Sequence, residues 1–116
     1  MFGDGEQSRD FTYIDNVVEA NLLASSAPDA AGQVFNTACG TRVTLNEVIR
    51  QLREQLDSQV APLYEPERAG DVRHSLADIT RAREVLGYRP LIEFKEGLKR
   101  TVDWFREAAP PQGFPA

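Results

Sequence analysis

The stretch Thr44-Leu45-Asn46-Glu47 constrains the fold more than any other. A threonine followed three residues later by a glutamate can satisfy two orphan amide donors reciprocally, and so starts a helix. Behind it, Leu45, Val48, Ile49, Leu52 and Leu56 recur at helical spacing and make one apolar face. A helix patterned in this way must bury that face against other elements. What the remaining chain can offer it decides the architecture.

In chain order, the polar loop Gly3-Asp4-Gly5-Glu6-Gln7-Ser8 leads into Arg9–Ile14, where Phe11 and Tyr13 predict a short strand. Asp15 is placed to cap a helix to about Ser26, with Ile14, Val17, Val18 and Leu22 along one face. Pro28–Gly32 makes a turn, and the semi-apolar run Gln33–Cys39 reads as a strand buried on both faces. Val60–Tyr64 follows the capped helix as an edge strand, because Pro62 cannot donate to a ladder. Asp78 caps a short helix with Ile79, Ala82, Val85 and Leu86 inward, stopped by Gly87. Phe94, Leu98, Thr101, Val102 and Phe105 line a final helix. Prolines 110, 111 and 115 cannot continue that helix and predict a frayed tail. The expected fold class is α/β: a small three-stranded sheet fragment with four helices. Residues 1–108 form a single domain in this reading, and 109–116 a flexible proline-rich tail.

The formal net charge of −5 argues against general binding of nucleic acid or an anionic membrane, since both need a basic face. No apolar run reaches the length of a membrane span, and the first residues lack a signal-peptide pattern. Cys39 is the sole cysteine, so no internal disulfide forms and the default compartment is a reducing cytoplasm. His74 has no partners at metal-ligand spacing.

The segment Glu67-Arg68-Ala69-Gly70-Asp71-Val72-Arg73-His74-Ser75 shows neither helical nor strand period. Each arginine can present a planar fork to a phosphate, and Gly70 allows close backbone approach to a ligand. An ionised Asp71 is an acceptor suited to two vicinal ribose hydroxyls. The same residues also read as a surface turn whose charges pair with one another.

Three segments taken together carry a resemblance. Gly3–Asp15, then Val34–Gly40 followed by Thr44–Glu47, then Arg68–Asp78, resemble in order the extended short-chain dehydrogenases that act on nucleotide sugars. The order continues through Leu86-Gly87-Tyr88-Arg89-Pro90 to Gly97-Leu98 and Trp104-Phe105. Within that family, Asp71-Val72-Arg73-His74-Ser75 looks most like the UDP-N-acetylhexosamine 4-epimerases. The resemblance implies that Arg9 and Arg68 contact the diphosphate of a UDP-sugar and that Asp71 contacts its ribose. For Arg9, pairing with Asp10 or Asp15 is the other possibility.

The chain also departs from that family. Its eight glycines, at positions 3, 5, 32, 40, 70, 87, 97 and 113, spell no dinucleotide-binding turn, so NAD, the family's cofactor, is not expected in this chain. The family's catalytic tyrosine is followed four residues later by lysine; here Tyr13, Tyr64 and Tyr88 are followed by Val17, Arg68 and Ile92. The expectation is therefore the UDP-sugar-binding, C-terminal portion of an NAD-dependent epimerase or dehydratase, with no catalytic residues and inactive by itself. The alternative is a stand-alone oligomerisation or partner-binding module derived from that family. Either reading leaves a strand edge at Val34–Cys39 and an apolar face uncovered, so a homodimer is expected. An enzyme of another kind has no support, as no G-x-S-x-G or paired Cys/His ligand set is present.

Overall fold

The structure, a computed structural model, describes residues 1–108. The expected tail at 109–116 lies outside the described residues. The elements are β1 (Ser8–Arg9), α1 (Ile14–Ser26), β2 (Val43–Thr44), α2 (Leu45–Leu56), α3 (Thr80–Leu86) and α4 (Phe94–Glu107). This is the α/β fold with four helices, but its sheet has two strands rather than three. β1 and β2 run antiparallel, with Ser8 opposite Thr44 and Arg9 opposite Val43.

The shortfall in strands has a physical reason. Strand propensity measures fit to a pleated, half-buried surface and needs a partner to be realised. Beyond Arg9 the side chain of Asp10 takes over the bridging, accepting from the amides of Cys39 and Gly40 at 2.9 Å each. Within the expected strand Val34–Cys39, Val34 is 79% exposed and the backbone enters no ladder. The expected edge strand Val60–Tyr64 likewise forms none. Its only neighbouring pairing is an isolated parallel bridge between Phe2 and Glu65.

α2 starts as its sequence requires on one side only. Thr44 Oγ1 accepts from the amide of Glu47 at 3.2 Å. The Glu47 carboxylate does not return the bond; it accepts from Arg50 and Gln51 instead. α1 begins one residue before Asp15, whose carboxylate makes no cap and faces Arg100 at 3.4 Å. Asp78 does hold the start of α3, its Oδ1 accepting from the Thr80 amide at 2.9 Å. Gly87 closes α3 in the left-handed conformation, φ 68°, where a side chain would be strained.

The core gathers Ala20 of α1, Ala38, Ile79, Ala82 and Leu86 of α3, and Tyr88. Small residues on α1 let α3 approach closely. Tyr88 is fully buried, and its hydroxyl donates to the Ala38 carbonyl at 2.9 Å. Asn16 is also fully buried: its Oδ1 accepts from the amides of Leu91 and Ile92, and its Nδ2 donates to the Ile92 carbonyl. That amide ties α1 to the turn ahead of α4. Ile14, Val18 and Leu22 share one face of α1, as their spacing dictates, and that face points outward.

Candidate functional site

The loop at 3–8 and the segment 65–75 run side by side and are pinned at both ends. At one end Gly3 donates to the Glu65 carbonyl at 2.9 Å. At the other, Ser8 donates to the Arg73 carbonyl at 2.9 Å, and Ser75 donates back to the Ser8 carbonyl at 3.0 Å. The Ser8 hydroxyl and His74 Nδ1 share a further bond at 2.8 Å. Between the pins the two segments bow apart around a pocket of about 70 Å³ lined by Phe2, Gly3, Gln7, Glu67, Arg68, Asp71 and Arg73. A shallower hollow of about 470 Å³ continues past Leu45 and Gly70. Gly70 has φ 83° in the turn where Asp71 donates to the Arg68 carbonyl, a conformation that favours glycine.

The three residues singled out in the sequence are placed as follows. Arg68 and Asp71 both line the pocket. Arg9 of β1 does not line it but pairs with Asp71, its Nη2 lying 2.9 Å from Asp71 Oδ1, while its Nη1 donates to the Ser8 and Arg73 carbonyls. Neither Asp10 nor Asp15 pairs with Arg9, as both are engaged elsewhere. The Arg68 guanidinium sits 3.7 Å from the centre of the Phe2 ring, a cation–π contact. Arg68 and Asp71 therefore share one hollow with Arg73 and Glu67, and Arg9 is joined to it through its contact with Asp71.

Sequence reasoning missed the wall residues Phe2 and Gln7, and it read the fork of Arg73 beside that of Arg68 without giving Arg73 a role of its own. Arg73 bridges Asp4 at 2.8 Å and Glu67 at 3.4 Å. Its hydrogen bond holds the Asp4 carboxyl below the usual carboxylate range, with help from the amide of Glu6. The one available signal was the doubled glycine of the 3–8 loop, a backbone built to turn around something.

Tyr88 is buried and its pKa is pushed up to about 12, chiefly by loss of water. Tyr13 packs on Gly97, and the Tyr64 hydroxyl donates to Asn46. Among the described residues no group of three His, Cys, Asp or Glu is placed to hold a metal ion, and no helix is long and apolar enough to cross a membrane.

A family model described as GDP-mannose 4,6 dehydratase matches residues 1–101. The chain belongs to this family. Among members of the GDP-mannose 4,6 dehydratase family and their solved structures, several similarities are close. A UDP-glucose 4-epimerase of Mycolicibacterium smegmatis is 38% identical over 106 residues, which make up 91% of this chain and 34% of that protein. The crystal structure of the Thermotoga maritima UDP-glucose 4-epimerase with UDP-glucose has a TM-score of 0.86 at 46% identity, covering 92% of this chain and 34% of the other. MoeE5, solved with UDP-glucuronic acid and NAD, has a TM-score of 0.88 at 36% identity, covering 94% of this chain and 36% of its own. The chain thus spans about a third of the length of the relatives it matches.

A glycine-rich turn opening a helix is the usual cradle for a dinucleotide's phosphates. The described helices open from Phe11-Thr12-Tyr13, Val43-Thr44, Asp78-Ile79 and Ile92-Glu93. None of these turns contains a glycine.

Proposed function

We propose that this chain is the UDP-sugar-binding portion of an NAD-dependent epimerase or dehydratase and does no chemistry alone. The observation that carries the reading is the meeting of Arg9 and Asp71 at the mouth of the pocket that Arg68 lines. Arg9 and Arg68 hold the diphosphate, whose charge two forks can meet bidentately. Asp71, released from Arg9, accepts from the ribose hydroxyls. Residues 1–108 act as one truncated substrate-binding domain, working in the cytoplasm. Without a turn for NAD or a phenol placed as a base, the ligand is gripped and left unchanged. Isothermal calorimetry checks this directly: UDP gives a weak binding isotherm and NAD none. Absence of heat with millimolar UDP overturns the reading.

A second reading, a self-associating module, is favoured by the face of α1 that points outward. Ile14, Val18 and Leu22 are 61%, 49% and 61% exposed along three successive turns. Burying such a stripe against a second copy removes it from water, and a two-fold pair of α1 helices does so symmetrically. Light scattering returns the mass of a dimer in this reading; a monomer at high protein concentration rejects it.

A further inference from the structure

The walls of the candidate pocket are joined by backbone only at their ends, between Gly3 and Glu65 and between Ser8 and residues 73 and 75. Beside the Ser8–His74 bond and the Arg9 bond to the Arg73 carbonyl at one pin, contacts between charged or aromatic side chains cross the gap at Arg9 to Asp71, Arg68 to Phe2, and Arg73 to Asp4. If UDP is held as proposed above, the first two contacts are given up to the ligand. The third is kept in this reading, because Asp4 lines neither hollow and Arg73 is held by two carboxylates, Asp4 and Glu67, where Arg9, among the described residues, has only Asp71.

Asp4 is well prepared for a mechanical role. Its Oδ1 accepts from the amide of Glu6 at 2.9 Å, which fixes its rotamer, while Oδ2 receives Arg73. Its carbonyl accepts from Asn46 Nδ2 at 3.1 Å, which anchors the loop on the first turn of α2. Arg73 is steadied on the opposite wall by Glu67. Both ends of the pair are therefore preorganised before they meet, so little side-chain entropy is lost in joining them.

We propose that Asp4 and Arg73 form a clasp across the pocket, two positioning residues that keep its walls together while Arg9, Arg68 and Asp71 turn to the ligand. The proposal rests on the UDP-site reading and adds to it a part that touches no ligand atom.

Charge gives the test its sign. Neutralising a carboxylate beside a bound diphosphate strengthens anion binding if Coulomb attraction alone acts. Loss of a clasp weakens it. Calorimetric titration of the full chain with UDP is therefore run on the wild type, Asp4→Asn and Arg73→Lys, with melting curves confirming that each is folded. The clasp requires Asp4→Asn to bind UDP about threefold more weakly, the size expected of one ordered surface pair, with Arg73→Lys between it and the wild type. The loss should shrink as salt is raised. The exchanged double variant Asp4→Lys/Arg73→Glu restores affinity relative to Asp4→Asn, and keeps the question open to refutation if a single variant fails to fold. Tighter or unchanged binding by a folded Asp4→Asn, or no recovery in the exchange, overturns the clasp and leaves the UDP site standing. A wild type that takes up no UDP overturns the site and the clasp with it.

Discussion

Arg9 and Asp71 meet at 2.9 Å across 62 residues of sequence. Their side chains are 31% and 45% exposed, so the pair itself contributes little to folding. In the proposed reading its value lies in holding a two-pronged donor and an acceptor ready for one ligand. Replacing Arg9 by lysine keeps the charge and loses the fork, and UDP affinity should fall about tenfold. The melting temperature should move by no more than about 4 °C, since only a surface pair is lost. Asp71→Asn separates the two halves of the ligand: it should weaken UDP but leave pyrophosphate binding equal or tighter, because a negative charge leaves the rim. Calorimetry with both ligands reads the difference.

Asn16 has every polar atom of its side chain engaged while fully shielded from water. Asn16→Ala takes the buried acceptor away from the part-buried amides of Leu91 and Ile92. Each buried unsatisfied group costs about 1–3 kcal/mol, so the variant should lose about 3 kcal/mol in urea unfolding. Asn16→Asp keeps the two accepted bonds but sets a carboxylate against the Ile92 carbonyl, and should recover only part of the loss.

The helices were legible because each carries its own signals: the capping threonine at 44, the aspartate at 78, the glycine at 87, and apolar spacing in α2 and α4. The strands were not, because a ladder is a property of two segments. Val34–Cys39 has the composition of a buried strand, yet among the described residues none forms a ladder with it, and Asp10 takes the amides at its end. The site was half legible. Arg9, Arg68 and Asp71 stand in segments whose pattern can be matched. Phe2 and Arg73 gain meaning only from their partners across the gap, Arg68 and Asp4, and no local period encodes that.

Gly97 offers a prediction whose sign opposes helix propensity. In an exposed helix interior, Gly→Ala stabilises by about 1 kcal/mol. Here an added Cβ lies 2.8 Å from the Cβ of Tyr13 and 3.1 Å from its ring. Tyr13 is the residue from which α1 starts, so it cannot retreat without moving that helix. Gly97→Ala should therefore destabilise by about 1–3 kcal/mol, the usual range for overpacking. A second change, Tyr13→Ala, should return the alanine to its ordinary stabilising sign. Chemical denaturation of the single and double variants gives the coupling.

Tyr88 sets the alkaline limit of the fold. Burial raises its pKa from 10.0 to about 12, with the charges of Cys39 and Asp10 acting in the same direction. The native state thus keeps the proton more tightly than the unfolded chain does. Its contribution is complete below pH 10 and drains away as pH rises towards 12. Unfolding free energy followed by denaturant titration should fall steadily across that window. Tyr88→Phe should be less stable at neutral pH by about 1–2 kcal/mol, because the Ala38 carbonyl loses its donor inside the core. It should also lose most of the decline between pH 10 and 12, with only other alkaline groups left to titrate. A phenylalanine variant that declines as steeply as the wild type would assign the alkaline transition to another group.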